Sequence, residues 1–255
     1  MSLPSFDGVL WFTACLILLL FAQRKLHWEI QAFFLLLTRS PGAALGIFSF
    51  LFFPGVVLHE ASHFLMARLL MVRTGRFSLV PKVLPNGKLR LGYVETHRSD
   101  PLRDSLIGTA PLIAGGAVVA YLAISRLGLE SIAQSAFAGD WDAFRAGLEH
   151  LPRIPDFWVW FYLAFAISST MLPSASDRQS WLPLGLMVVV LFGLAVLAGA
   201  GPWMAERLAP RLNEFLRAVG ALFGFSLVLH LILLLPFWMA RMGLGRLTGL
   251  QVTNE

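Results

Sequence analysis

The chain has 255 residues, 57% of them hydrophobic and only 14% charged, with a mean hydropathy of +0.71, which excludes a soluble globular domain and makes it an integral membrane protein. A net charge of +5 is compatible with nucleic acid, but the basic residues fall in loops between apolar runs and read as topology determinants and headgroup contacts, so no nucleic-acid partner is expected. Cys15 is the only cysteine, which excludes an intramolecular disulfide or a thiolate cluster and leaves His and carboxylates to hold any metal.

The apolar runs approach the ~20 residues of a membrane-spanning helix and lack the strict alternation of a barrel strand. Residues 8–22 form a first span that ends at Arg24 and Lys25, an order unlike that of a cleaved signal peptide. Residues 26–38 are shorter and mixed, and read as an interfacial helix or a continuation of that hairpin. Pro41-Gly42 then opens a helix expected over 43–70. Beyond it, eight basic residues between Arg68 and Arg103 mark a cytoplasmic side. Within this loop, 76–84 and 88–95 flank Pro85-Asn86-Gly87 and predict a β-hairpin. Spans are expected over 106–124, 157–172, 181–200 and 218–240, with an amphipathic helix inside 128–156 and a connector over 201–217. This arrangement puts Arg24, Lys25, Arg39 and the connector arginines on the outer side, against the charge rule. The predicted fold is an all-α polytopic membrane protein with about six transmembrane helices and a small β-hairpin after the third helical segment.

Chemistry concentrates in 53–70, where His59-Glu60-Ala61-Ser62-His63 interrupts an apolar run. Histidines four apart on a helix share a face, about 6 Å apart along the axis, and can reach one zinc ion. Glu60 sits about 100° round the helix, beside the metal, where a carboxylate can take a proton from a bound water and pass it to a leaving amine. Ionisable groups in a membrane segment are costly unless they are paired or functional. Catalytic zinc uses three protein ligands, so a third must come from elsewhere. Two crossings after His63 bring Asp177 back to the level of the histidines. Glu95, Asp100 and Asp104 share that side, but in a solvated basic loop where surface pairing accounts for them. His97 is a lone loop histidine, His27 and His150 have no partner spacing, and His230 reads as hydrogen-bonded to a neighbouring helix.

PGVVLHEASHFLMA resembles the HExxH helix of the site-2 proteases, zinc metalloproteases that cleave within the membrane. GTAPLIAGG is similar to the Gly-Pro-Gly segment of the following helix, and MLPSASD resembles the element that supplies the third zinc ligand. Thr170 stands where the family often has Asn, and Arg178 follows Asp177 where it has Gly. The resemblance implies a three-helix catalytic core, zinc on His59, His63 and Asp177, and Glu60 as general base. It also implies a transmembrane protein substrate, a prokaryotic inner membrane and a site facing the cytoplasm. Residues 1–40 would be an anchor, 41–180 the protease core and 181–255 a two-span hairpin and tail. The alternatives are a non-catalytic membrane protein or metal transporter that reuses the cluster, and a lipid-modifying metalloenzyme.

Overall fold

The computed structural model describes residues 7–83, 89–250 and 252 and is mostly helical. The first element is a single helix, α1 (Asp7–Thr38). The expected division into a span over 8–22 and a separate piece over 26–38 is not met, because no proline or glycine interrupts 9–38. Of the two charges that seemed to end a span, Arg24 is exposed and Lys25 pairs one helical turn on with a buried carboxylate. Glu29 is fully buried, 2.9 Å from the Lys25 ammonium and in contact with Arg241.

The next helix, α2 (Pro41–Leu51), starts at Ser40, whose side chain accepts from the Ala43 N–H, with proline at the first helical position. It meets α3 (Phe53–Leu69) at a bend of 67°, where an unbroken helix over 43–70 was expected. Pro54 explains the break: it has no N–H to offer the Phe50 carbonyl, and its ring crowds the preceding turn. At the bend, the Leu51 carbonyl accepts the Tyr162 hydroxyl at 3.0 Å. Tyr162→Phe should therefore lower stability by about 1 kcal/mol, read as a shift in the thermal melt in detergent; an unchanged melt would deny the bond a structural role.

The predicted hairpin is present. Strands β1 (Thr74–Ser78) and β4 (Tyr93–Thr96) pair antiparallel, as do β2 (Lys82–Val83) and β3 (Leu89–Arg90), while the turn at Pro85-Asn86-Gly87 lies outside the described residues. Asp100 caps α4 (Pro101–Tyr121) by accepting from Leu102 and Arg103, and the helix loosens into a wide π turn over Leu122–Arg126. Two short helices, α5 (Leu129–Ala138) and α6 (Trp141–His150), replace the single amphipathic helix expected within 128–156. Gly139 at φ +73° ends the first, and the Asp140 side chain caps the second. The chain continues through α7 (Phe157–Ser168), α8 (Trp181–Ala195), the single turn α9 (Gly201–Trp203) and α10 (Ala209–Thr248).

Helices α3, α4 and α7 form the three-helix core. Contacts of His63 with Ile107 and of Leu58 with the cluster that holds Leu112 set α3 antiparallel to α4. Ala166 at Gly55 and Thr170 at His59 set α7 parallel to α3. A Cβ on Gly55 would collide with the Ala166 carbonyl, so this close crossing needs glycine. In a bilayer such packing depends on small residues and van der Waals contact, because lipid is as apolar as the helix surface. Outside the core, α1 and α10 run side by side in the same direction: Gly8 donates to Asn213, Trp11 and Phe12 cover Gly220, and Glu29 meets Arg241.

Among the described residues three helices are long and apolar enough to cross a membrane, or four if the bent α2–α3 pair counts as one, against about six expected. The 12 residues of α7 fall short of the ~20 a crossing needs. The connector also moves. Leu222 packs on Gly116 and Leu229 clusters with Leu122, so α10 runs with α4 and begins at the end where α4 begins. The connector arginines Arg207, Arg211 and Arg217 therefore lie at the end that carries the basic 68–103 loop, and Arg217 pairs with Asp7 there. Both ends of 181–208 lie at that end. The wall of α8 is uncovered by the rest of the described chain, with Leu182, Leu186 and Val189 exposed.

Candidate metal centre

The core brings together the three side chains that the sequence had placed far apart. His59 and His63 project from α3, and Asp177 reaches them from the turn between α7 and α8. The two Nε2 atoms are 3.1 Å apart, Asp177 Oδ1 is 3.4 Å from His63 Nε2, and Oδ2 is 3.7 Å from His59 Nε2. Ligand bonds near 2.0–2.1 Å in a tetrahedral site give edges of about 3.3 Å. The three donors thus outline one face of such a shell and can hold a metal ion.

The opposite ring nitrogens fix the orientation. His59 Nδ1 lies 2.6 Å from the Thr170 carbonyl, and His63 Nδ1 lies 2.8 Å from the Ile107 carbonyl. A carbonyl only accepts, so both protons sit on Nδ1 and both Nε2 atoms turn lone pairs towards one point and one carboxylate. That concentration of lone pairs is unfavourable without a cation between them. The donor set fits a divalent ion of intermediate softness.

The Thr170 carbonyl is available because α7 has just ended, leaving its last carbonyls without helical partners. The neighbouring Ser169 carbonyl accepts Gln23 Nε2 at 2.5 Å, and the Ser169 hydroxyl bonds His230 Nε2 at 2.9 Å while His230 Nδ1 donates to Ser226. The outer helices α1 and α10 therefore grip the turn that orients His59. His230 is hydrogen-bonded to a neighbouring helix, as expected.

Asp177 is held by the Ser174 N–H, which donates to Oδ2 at 2.7 Å. Burial alone would raise its pKa, but with Nε2 protons on His59 and His63 in place of a metal, their hydrogen bonds and charge together with the Ser174 hydrogen bond outweigh this and hold the carboxyl well below the usual carboxylate range. Arg178 turns away and donates to the Ser174 carbonyl. The competing acids have local duties: Glu95 accepts from the Arg76 N–H, Asp100 caps α4, and Asp104 accepts from the Ser99 N–H. Among the remaining histidines, His27 packs edge-on to Phe48 and Phe52, and exposed His97 lies at the Arg73 carbonyl.

Glu60 is buried on α3 and faces, with both imidazoles, a cavity of about 1040 Å³. One wall is the 91–97 stretch of the hairpin, and the other is the 174–180 turn. Only Gly92 lets the hairpin lie over Glu60, since a Cβ there would come 2.9 Å from Glu60 Cγ. The described partner of β4 is β1, and the residues of β4 line the cavity. Sequence reasoning missed Gln23, Ser169, Gly92 and Arg90 as parts of this site. Gln23 and Ser169 carried a usable signal, polar groups among apolar neighbours; the two carbonyls that steer the imidazoles carry none. Compared with protein-family models, curated proteins and solved structures, the chain matches none.

Proposed function

We propose that this chain is a multi-pass membrane zinc metallopeptidase of the site-2 protease type that hydrolyses peptide bonds of transmembrane substrates. The observation that carries the reading is the convergence of His59, His63 and Asp177 with Glu60 beside them in one cavity. The basic 68–103 loop and Arg207, Arg211 and Arg217 share the site's end of the bundle, which supports a cytoplasmic orientation.

Zinc bound by the three side chains would polarise the carbonyl and bring the pKa of a bound water towards neutrality. Glu60 takes a proton from the attacking water as its oxygen bonds to the carbonyl carbon, then delivers that proton to the amide nitrogen as the C–N bond breaks. The Thr170 and Ile107 carbonyls keep the imidazoles in the tautomer this requires. A helical substrate hides its carbonyls in its own hydrogen bonds and must enter unwound. The edge of β4 away from β1, which has no partner strand among the described residues, offers backbone donors and acceptors to such a strand.

The test is the metal content of purified protein together with cleavage of a single-span model substrate. His59→Ala and Asp177→Ala should lose metal and activity, whereas Glu60→Gln should keep the metal and lose cleavage by a factor of about 100 to 10,000. A Glu60→Gln protein that still cleaves would sink the hydrolytic reading. Metal bound by a wild type that cleaves nothing would favour a transporter or a non-catalytic protein.

A further inference from the structure

We propose that Arg90 is a further catalytic residue of this site: its guanidinium donates to the substrate carbonyl oxygen as that oxygen becomes negative. The assignment rests on the metallopeptidase reading. Arg90 closes β3 opposite Lys82, two residues before the Gly92 backbone that lies over Glu60, and lines the same cavity as His59, His63 and Glu60. Its guanidinium is braced on the Tyr93 ring, 4.1 Å from the centroid.

Yet its own valences are not met. Its Nε is buried with no hydrogen-bond partner, and no carboxylate of the described residues lies within ion-pair distance, although Glu60 and Asp177 share the cavity. A half-buried cation that lines the same cavity as two acids and pairs with neither is open to an anion from outside. Hydrolysis supplies one at this place. As water adds to the carbonyl carbon, the C=O electron pair moves onto oxygen, and it returns when the amine leaves with the proton carried by Glu60. Arg90 forms and breaks no covalent bond; it donates N–H groups to the charged oxygen. Arginine suits the task because it stays protonated at every working pH and its planar fork is stiffened by the aromatic ring. Preorganised donors aimed at developing charge are worth more in the transition state than in the ground state, so their loss falls on kcat.

The experiment uses the full-length, metal-loaded protein in detergent with the single-span substrate, comparing wild type, Arg90→Gln and Arg90→Lys. Metal content and the affinity of a phosphinic peptide, a tetrahedral anion, are measured alongside. Arg90→Gln should lower kcat about 100- to 1000-fold with KM and metal content unchanged, and should weaken the phosphinic peptide in parallel; Arg90→Lys, which keeps the charge, should recover part of both. A rise in KM alone would overturn the assignment in favour of an anchor for a ground-state carboxylate, and unchanged kinetics or lost metal would overturn it outright. A wild type that holds metal but neither cleaves nor binds the phosphinic peptide would remove the metallopeptidase reading, and this inference with it. An active wild type beside an indifferent Arg90→Gln would remove the Arg90 assignment alone.

Discussion

Gly108→Ala is expected to cost the chain most of its metal affinity while leaving the helices folded. A Cβ on Gly108 would occupy the space of the Asp177 backbone carbonyl, with the Asp177 carbonyl carbon 2.9 Å away. A side chain could swing aside, but a backbone carbonyl cannot, so the 174–177 turn must lift off α4 and take Asp177 with it. The carboxylate already stands 3.4 and 3.7 Å from the two imidazoles, with little slack before it leaves the shell. Misplacement of about 1 Å at such a site costs on the order of 100-fold, and changes that disturb ligand support cost about 10- to 100-fold in metal affinity. Chelator competition should read this loss, with the melting temperature of the metal-free protein nearly unchanged. Gly42→Ala, at a position with open space around it, is the matched control. A Gly108→Ala protein with wild-type metal affinity would show that the turn does not depend on this contact.

The site was legible in the sequence because its geometry is local or follows from counting crossings. Spacing alone put His59 and His63 on one face with Glu60 beside them, and an outward and a returning helix, α4 and α7, carried the chain back to Asp177. The hairpin was legible from its turn residues and alternation. The orienting partners were not, because the Thr170 and Ile107 carbonyls belong to the backbone that every residue has, and their availability depends on where α7 ends and how α4 lies. The structure carries three candidate crossing helices, or four with the bent α2–α3 pair, against about six expected, because apolar length in sequence does not show where a helix bends, as at Pro54, or stops short, as α7 does. The first helix was divided at Arg24 and Lys25 because Glu29, the partner of Lys25, draws its second cation, Arg241, from 212 residues away. The same long-range pairing places α10 parallel to α1, which moves the connector arginines to the end where the charge rule wants them.

That pairing should be the most sensitive point of the scaffold outside the metal site. Glu29 is fully buried, whereas the Lys25 side chain remains half-exposed and Arg241 largely covered, and both cations also stack on Trp28, at 4.5 and 4.9 Å from the ring centroid. Glu29→Ala removes the single anion from between two cations and leaves Arg241 covered and without its carboxylate. Breaking a buried pair in this way costs about 3–5 kcal/mol, because the remaining charge has lost its compensation. Lys25→Ala removes a side chain that already reaches solvent and should cost about 1 kcal/mol or less. The ordering, more than either figure, is the test: melts in detergent should place Glu29→Ala far below Lys25→Ala. The loss should also reach the metal, since α1 and α10 hold the Ser169 turn through Gln23 and His230, and that turn presents the Thr170 carbonyl to His59. Glu29→Ala should therefore release metal at a lower chelator concentration than wild type even well below its melting temperature. Equal release would mean that the outer pair of helices and the metal centre are mechanically independent.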